Sequence, residues 1–280
     1  MKNLYRNILS LIILATVSAV LACCGLEPQV NQYTEVSFAA HIPNDTLVKS
    51  FGGNLIVDKL IVGIYTLNNG EYIESHRETF NVVPGSTTTY ITLSLAKEQT
   101  YSFIFWAYHS ECSVYDIKNL QAIRMQPDQI PDELTYSFIE KMDVFSGKLE
   151  NVDIGAELYG TIPIEMKRPL AQLNVGTTGN PQPATFTVIN SGNTYSPFTG
   201  VVSGNGTYKW NFTKTTTEKF TAAGSDYSYL AMGYLFAEME EKQIECTLTM
   251  QGATVHFPAV TLQSNYKTNI AGNFTLNLSN

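Results

Sequence analysis

The sequence predicts an all-β protein built as two tandem β-sandwiches of about seven strands each, with a short helical or irregular insertion in the first. Three observations carry that reading. Apolar and polar residues alternate with a period of two in short runs along most of the chain. The runs are punctuated by turn signals such as Asn69-Gly70, Pro84-Gly85, Gly204-Asn205-Gly206 and Gln251-Gly252. The composition is 44% hydrophobic with 16 Tyr and 14 Phe and only 15% charged, which suits pleated, half-buried surfaces and argues against disorder.

Residues 1–22 stand apart from the fold. Lys2 and Arg6 form a basic start, an apolar run from Ile8 to Val20 follows, and Leu21-Ala22-Cys23-Cys24 comes next. The run is shorter than the about 20 apolar residues that a membrane-spanning helix requires. It reads as a secretory signal, and its end resembles a bacterial lipobox. Ala22 supplies the small residue before Cys23, so Cys23 is the expected lipidated N-terminus; Cys24, preceded by a cysteine, fits less well. One acyl chain holds a bilayer only marginally and two or more hold it stably. Residues 23–34 then form a lipidated tether, and the expected location is the bacterial outer membrane at the cell surface.

Without the signal, 17 basic residues become 15 against 25 acids, a net charge of −10. Such a surface excludes nucleic acid as a natural partner. The remaining cysteines, Cys112 and Cys246, are expected to be unpaired, and Cys246 continues the alternation Ile244, Cys246, Leu248, Met250 as a small buried hydrophobe.

The elements follow in order. Val36, Phe38, Ala40 and Ile42 alternate as a first strand, and a polar loop spans 43–54. Residues 55–65 are nearly continuously apolar, which predicts a central strand covered on both faces. Asn68-Asn69-Gly70 predicts a hairpin. Ile91, Leu93 and Leu95 make one strand, and residues 101–108 return as an aromatic one. Residues 110–147 are irregular, with turn chemistry at Pro127 and Pro131 and room for a short helix over 133–144.

Ile162, Ile164 and Met166, then Lys167-Arg168-Pro169, then Ala171, Leu173 and Val175 mark the seam, because proline cannot donate to a ladder and restrains the residue before it. Gln172 and Asn174 fall on the opposite face of the second strand. The expected boundaries are 35–167 and 168–280. In the second half Phe186 and Val188, Tyr208 to Phe212, residues 227–236, 244–250 and 255–257 read as strands, with Phe274, Leu276 and Leu278 at the end.

No catalytic, cofactor or metal motif is legible. The four histidines are dispersed, and there is no nucleophile elbow, P-loop or Rossmann fingerprint. Glu238, Glu240, Glu241, Asp132 and Glu133 read as solvated charge rather than as a carboxylate pair across a glycosidic bond. Tyr195, Phe198 and Tyr115 are candidates to stack on sugars; packing against neighbouring strands is the simpler reading. Asp45-Thr46-Leu47 resembles the Asp-Ser/Thr-apolar O-glycosylation site of Bacteroidetes and nominates Thr46.

Three stretches together resemble the fimbrillin-like (FimA and Mfa type) lipoproteins of Bacteroidales: the lipobox, residues Lys167-Arg168-Pro169-Leu170-Ala171-Gln172-Leu173-Asn174-Val175, and Asn265-Tyr266-Lys267-Thr268-Asn269-Ile270-Ala271-Gly272-Asn273. The resemblance implies transthyretin-like sandwiches and a component of donor-strand pili. In such pili a subunit's first strand is removed and a neighbour's segment completes the sheet. It implies outer-membrane lipid and other pilus subunits as partners, with host or glycan ligands beyond them. Residues 36–42 would be the removable strand and 43–54 the processing loop, where Lys49 is the basic residue. No arginine lies between Arg6 and Arg77, and the chain stops soon after Asn273; both favour an anchor, tip or accessory subunit over a stalk. The alternative is a non-polymerising surface lipoprotein that binds glycans. No enzymatic activity is expected.

Overall fold

The computed structural model describes residues 32–43, 56–155 and 160–274, which form an all-β sandwich fold. Sheet I has the order β4-β1-β9, from β1 (Tyr33–His41), β4 (Thr88–Ala96) and β9 (Thr161–Glu165). Sheet II has the order β3-β2-β5-β8, from β2 (Lys59–Asn68), β3 (Glu71–Asn81), β5 (Gln99–Tyr108) and β8 (Phe145–Ile154). The two enclose a core that includes Phe38, Leu93, Phe103, Phe105, Phe145 and Ile164.

The β2–β3 hairpin turns where expected. Asn69 at φ 51° and Gly70 at φ 85° supply the consecutive left-handed residues of a tight two-residue turn.

Sheet II is covered on both faces, as the unbroken apolar run in β2 predicts. Leu60, Val62 and Ile64 face sheet I, whereas Ile61, Tyr65, Ile104 and Trp106 belong to the other cluster. Their cover is the stretch between β5 and β8: β6 (Tyr115–Asp116), β7 (Ile123–Met125), a 3₁₀ turn at Pro127–Gln129 and helix α1 (Tyr136–Lys141). The helix is a single short insertion, begun by Thr135, whose hydroxyl accepts from the Phe138 amide at 3.2 Å. The Asp143-Val144-Phe145 corner leads straight into β8, so that strand begins inside the segment the sequence leaves irregular.

The second half contributes β10 (Leu170–Thr177), β11 (Ala184–Ser191), β12 (Thr194–Tyr195), β13 (Val202–Ser203), β14 (Gly206–Phe212), β15 (Lys219–Ala222), β16 (Ser225–Phe236), β17 (Lys242–Met250), β18 (Ala253–Leu262) and β19 (Lys267–Gly272). Sheet IV is β15-β16-β10-β19 and sheet V is β14-β11-β17-β18. The small sheet III, β13-β12-β7-β6, pairs Tyr195 with Ile123 and so joins the insertion to the second half.

Among the described residues sheets I and II hold seven strands and sheets IV and V eight, close to the expected seven in each half, and sheet III adds four very short ones. Strands of two or three residues carry almost no periodicity, so the sequence gives little sign of them beyond the apolar pair Val201-Val202. Cys112 and Cys246 are buried and free, as expected.

β10 is buried along all eight of its residues. Leu173 pairs with Gly233, whose missing side chain makes room for Trp210 of sheet V. On the other face Gln172 and Asn174 are also buried, because the insertion covers it. A polar ladder meets part of their need: Gln172 Nε2 donates to Asn174 Oδ1 at 3.0 Å, and Asn174 Nδ2 to Asn269 Oδ1 of β19 at 2.8 Å, while Gln172 Oε1 is buried without a protein partner.

Candidate functional site

Two places combine elements that are distant in sequence: the slot filled by β1, and the seam around Arg168. β1 is the middle strand of sheet I. It runs antiparallel to β4 along all nine residues and parallel to β9 from Ser37 to His41. Alternation sends Val36, Phe38, Ala40 and Ile42 inward, and each is at most 1% exposed. Phe38 meets Phe103 at 5.1 Å and Phe105 at 5.7 Å between ring centroids. Burying the three large side chains stabilises the sheet by roughly 4.5–9 kcal/mol at about 1.5–3 kcal/mol each. Without β1, two strand edges and an apolar floor would face water, separated by about two strand spacings of 4.8 Å.

At the seam Lys167 exchanges two backbone hydrogen bonds of 2.8 Å with Ser146. The next residue, Arg168, is buried. Its Nε and Nη2 donate to the two Asp143 carboxylate oxygens at 2.7 and 2.9 Å, Nη1 donates to Asn265 Oδ1 at 2.8 Å, and the guanidinium lies 4.7 Å from the Phe145 ring centre. A fork-to-fork pair of this kind matches the planar geometry of both groups. Pro169 and Leu170 accept from the Ala237 and Asn265 amides, so the connection is clamped by backbone as well. Nearby, burial raises the Tyr234 phenol well above its ordinary range, with Asp143 adding to the effect.

Beside the clamp lies a cavity of about 380 Å³ between β8, β9 and the loops after β12 and β16. Pro163, Glu165, Lys167, Tyr195, Pro197 and Met239 are among its walls. Lys148, also on its wall, donates to Glu150 and to the Phe198 carbonyl. That hydrogen bond holds the Glu150 carboxyl below its usual range. Tyr195 is pushed above the ordinary phenol range by burial, opposed by a hydrogen bond with Ser146.

Cys23, Cys24, Thr46 and Lys49 lie outside the described residues. The three loop aromatics nominated as sugar platforms pack internally. Phe198 stacks on Tyr72 at 4.1 Å and meets Tyr65 edge-on; Tyr115 donates to the Met142 carbonyl at 2.5 Å; Tyr195 stacks on Phe236. Glu238 is structural as well, accepting from the Val202 amide at 2.8 Å. Sequence reasoning missed Asp143 and Asn265 as partners of Arg168; the only signal was a basic residue beside proline at a strand junction.

A filled strand slot in a sandwich, with a clamped seam to a second set of sheets, defines the chain as an all-β sandwich protein. The chain belongs to a family of unknown function, DUF6562, whose model matches residues 28–278. Solved structures of similar fold include a candidate polysaccharide-binding protein from Bacteroides thetaiotaomicron, 13% identical, with TM-score 0.51 and coverage of 80% of each chain. A candidate adhesin from the same species is 16% identical, with TM-score 0.51 over 81% of this chain and 80% of that one. Another candidate adhesin, from Bacteroides ovatus, is 11% identical, with TM-score 0.50 over 81% and 76%. At these identities the likeness establishes the fold. A comparison with curated proteins returns no match.

Proposed function

We propose that this protein is a lipid-anchored, fimbrillin-like component of the bacterial cell surface, a structural or adhesive part of donor-strand pili acting as anchor, tip or accessory subunit. The observation that carries the reading is the β1 slot: one strand, central in its sheet and paired on both edges, which with the following Ile42 supplies four buried side chains. The same sheet needs a strand there whether the chain itself or a partner supplies it. The sequence motifs of the fimbrillin-like proteins and the fold shared with the Bacteroides adhesin candidates support it. The reading keeps the division at 167/168, acylation at Cys23, and other pilus subunits as partners through strand exchange.

The connection between lipid and strand favours an anchor over a stalk. Tyr33 follows Cys23 by only ten positions, so a cut within 43–54 would leave the lipid covalently attached to β1 alone. The absence of arginine between Arg6 and Arg77 fits a chain that keeps this strand.

Mass spectrometry of the mature N-terminus in membrane and sheared-surface fractions tests the proposal. The expected result is acylated Cys23 in the membrane fraction with residues 33–42 still attached. A new N-terminus within 43–54 in the sheared fraction would replace the anchor role by that of a stalk, and an unacylated Cys23 would overturn the lipid anchor.

A further inference from the structure

The outward face of sheet I differs from an ordinary solvated sheet in one row. The registers of β1 with β4 and β9 align Tyr90, Ala39 and Pro163 across the three strands. Tyr90 is 75% exposed, one of the most exposed large apolar side chains among the described residues. Its neighbour in the row is only a methyl group, and Pro163 is exposed too, so the row is a low apolar strip about 10 Å long at the usual strand spacing. A polar row flanks it on either side. One aligns Thr92, Ser37 and Thr161, with the Ser37 and Thr92 hydroxyls 3.1 Å apart; the other aligns Thr88, His41 and Glu165, with His41 Nδ1 3.0 Å from the Thr88 hydroxyl.

The strip does not end at β9. Pro163 and Glu165 also line the 380 Å³ seam cavity, together with Tyr195, Pro197 and Met239, the last 71% exposed. The charges along this path balance: Arg168 is consumed by Asp143 and Lys148 pairs with Glu150, which leaves Glu165 and Lys167 as one of each sign.

We propose that this strip and the seam cavity form one track for a neutral oligosaccharide. A pyranose presents an apolar face and a rim of hydroxyls. The face suits the Tyr90 ring and the rim suits the hydroxyl rows a residue pair away on each side. The balanced charge disfavours acidic glycans and acidic peptides, and the length of strip plus cavity takes several sugar units. The site deepens the adhesive side of the function proposed above; it rests on exposure at the cell surface and not on strand exchange. Because β1 supplies Ser37, Ala39 and His41, the track exists only while the first strand stays in place.

Titration calorimetry of the full mature chain with cello-, xylo-, manno- and chitohexaose tests it. At least one hexasaccharide should bind. Tyr90→Ala should weaken that binding about tenfold or more, equivalent to ~1.4 kcal/mol, with the melting temperature unchanged. Met239→Ala should weaken the hexasaccharide more than the corresponding disaccharide, and Leu67→Ala, at the exposed end of β2, should leave both unchanged. Failure of all four sugars to bind, or full affinity in Tyr90→Ala, would overturn the track. Neither result bears on the N-terminus found by mass spectrometry, so the track and the pilus reading fail separately.

Discussion

Arg168 shows how one side chain converts a strand break into a joint. Its guanidinium and the Asp143 carboxylate are 3% and 6% exposed, so each charge has lost its water and depends on the other. Asp143→Ala leaves the cation buried and unpaired; the expected loss is about 3–5 kcal/mol, read by urea unfolding, whereas an apolar pair at both positions should lose much less. Glu140 in α1 is a second residue with a measurable signature. Burial, reinforced by Glu218, lifts its carboxyl to about 7, its Oε1 is buried without a hydrogen-bond partner, and Tyr229 lies close by. A carboxyl whose folded pKa exceeds its unfolded value of 4.5 costs stability once ionised, so stability should fall as pH rises from 4.5 to 7. Glu140→Gln should therefore be more stable than the parent at pH 8, by no more than about 1–2 kcal/mol given solvent screening at a half-buried site. At pH 4.5 the two should melt alike. The position of Arg168 is legible as an interruption of pairing, but Asp143 sits in a stretch without periodicity and Asn265 lies 97 residues away.

At the scale of elements, β1 and β10 occupy equivalent roles with opposite surroundings. β1 shows one clean inward face, and simple alternation finds it. β10 is buried on both faces, and alternation alone could not reveal that Gln172 and Asn174 are internal, because the cover comes from an insertion elsewhere in the chain. β19 escaped strand recognition for a related reason: Lys267–Gly272 is mostly polar, and its pairing with β10 is parallel and distant. The packing between sheets IV and V gives a sharp test. A Cβ at Gly233 would sit 2.6 Å from three atoms of the Trp210 indole, itself fully buried. Gly233→Ala should lose about 1–3 kcal/mol and alter the near-ultraviolet tryptophan signal, while Gly252→Ser, at an open turn with φ 83°, should change stability without that spectral effect.

In the whole molecule the two hydrophobic clusters do not follow the seam. Ile61, Tyr65, Ile104 and Trp106 of sheet II share a cluster with Phe236, Tyr234 and the core of sheets IV and V; Trp106 meets the Phe236 ring edge-on at 6.5 Å. Unfolding either half would expose that shared layer. Calorimetry should accordingly show one transition with calorimetric and van't Hoff enthalpies in agreement, and a fragment of 168–280 should associate or fail to fold. Two resolved transitions would mean that the halves are energetically independent. The sequence by itself determined the all-β class, the strand β1 with its inward row, the central position of β2, the hairpins at Asn69-Gly70 and Gln251-Gly252, and the unpaired cysteines. All of these depend on local periodicity and turn chemistry, which neighbouring residues encode. Only the tertiary structure decided that the insertion becomes the cover of two sheets, that Arg168 finds Asp143 and Asn265, that Tyr115, Tyr195 and Phe198 turn inward, and that Tyr90 lies in a row leading to a cavity. Those are contacts between segments tens of residues apart, and no period in a single stretch carries them.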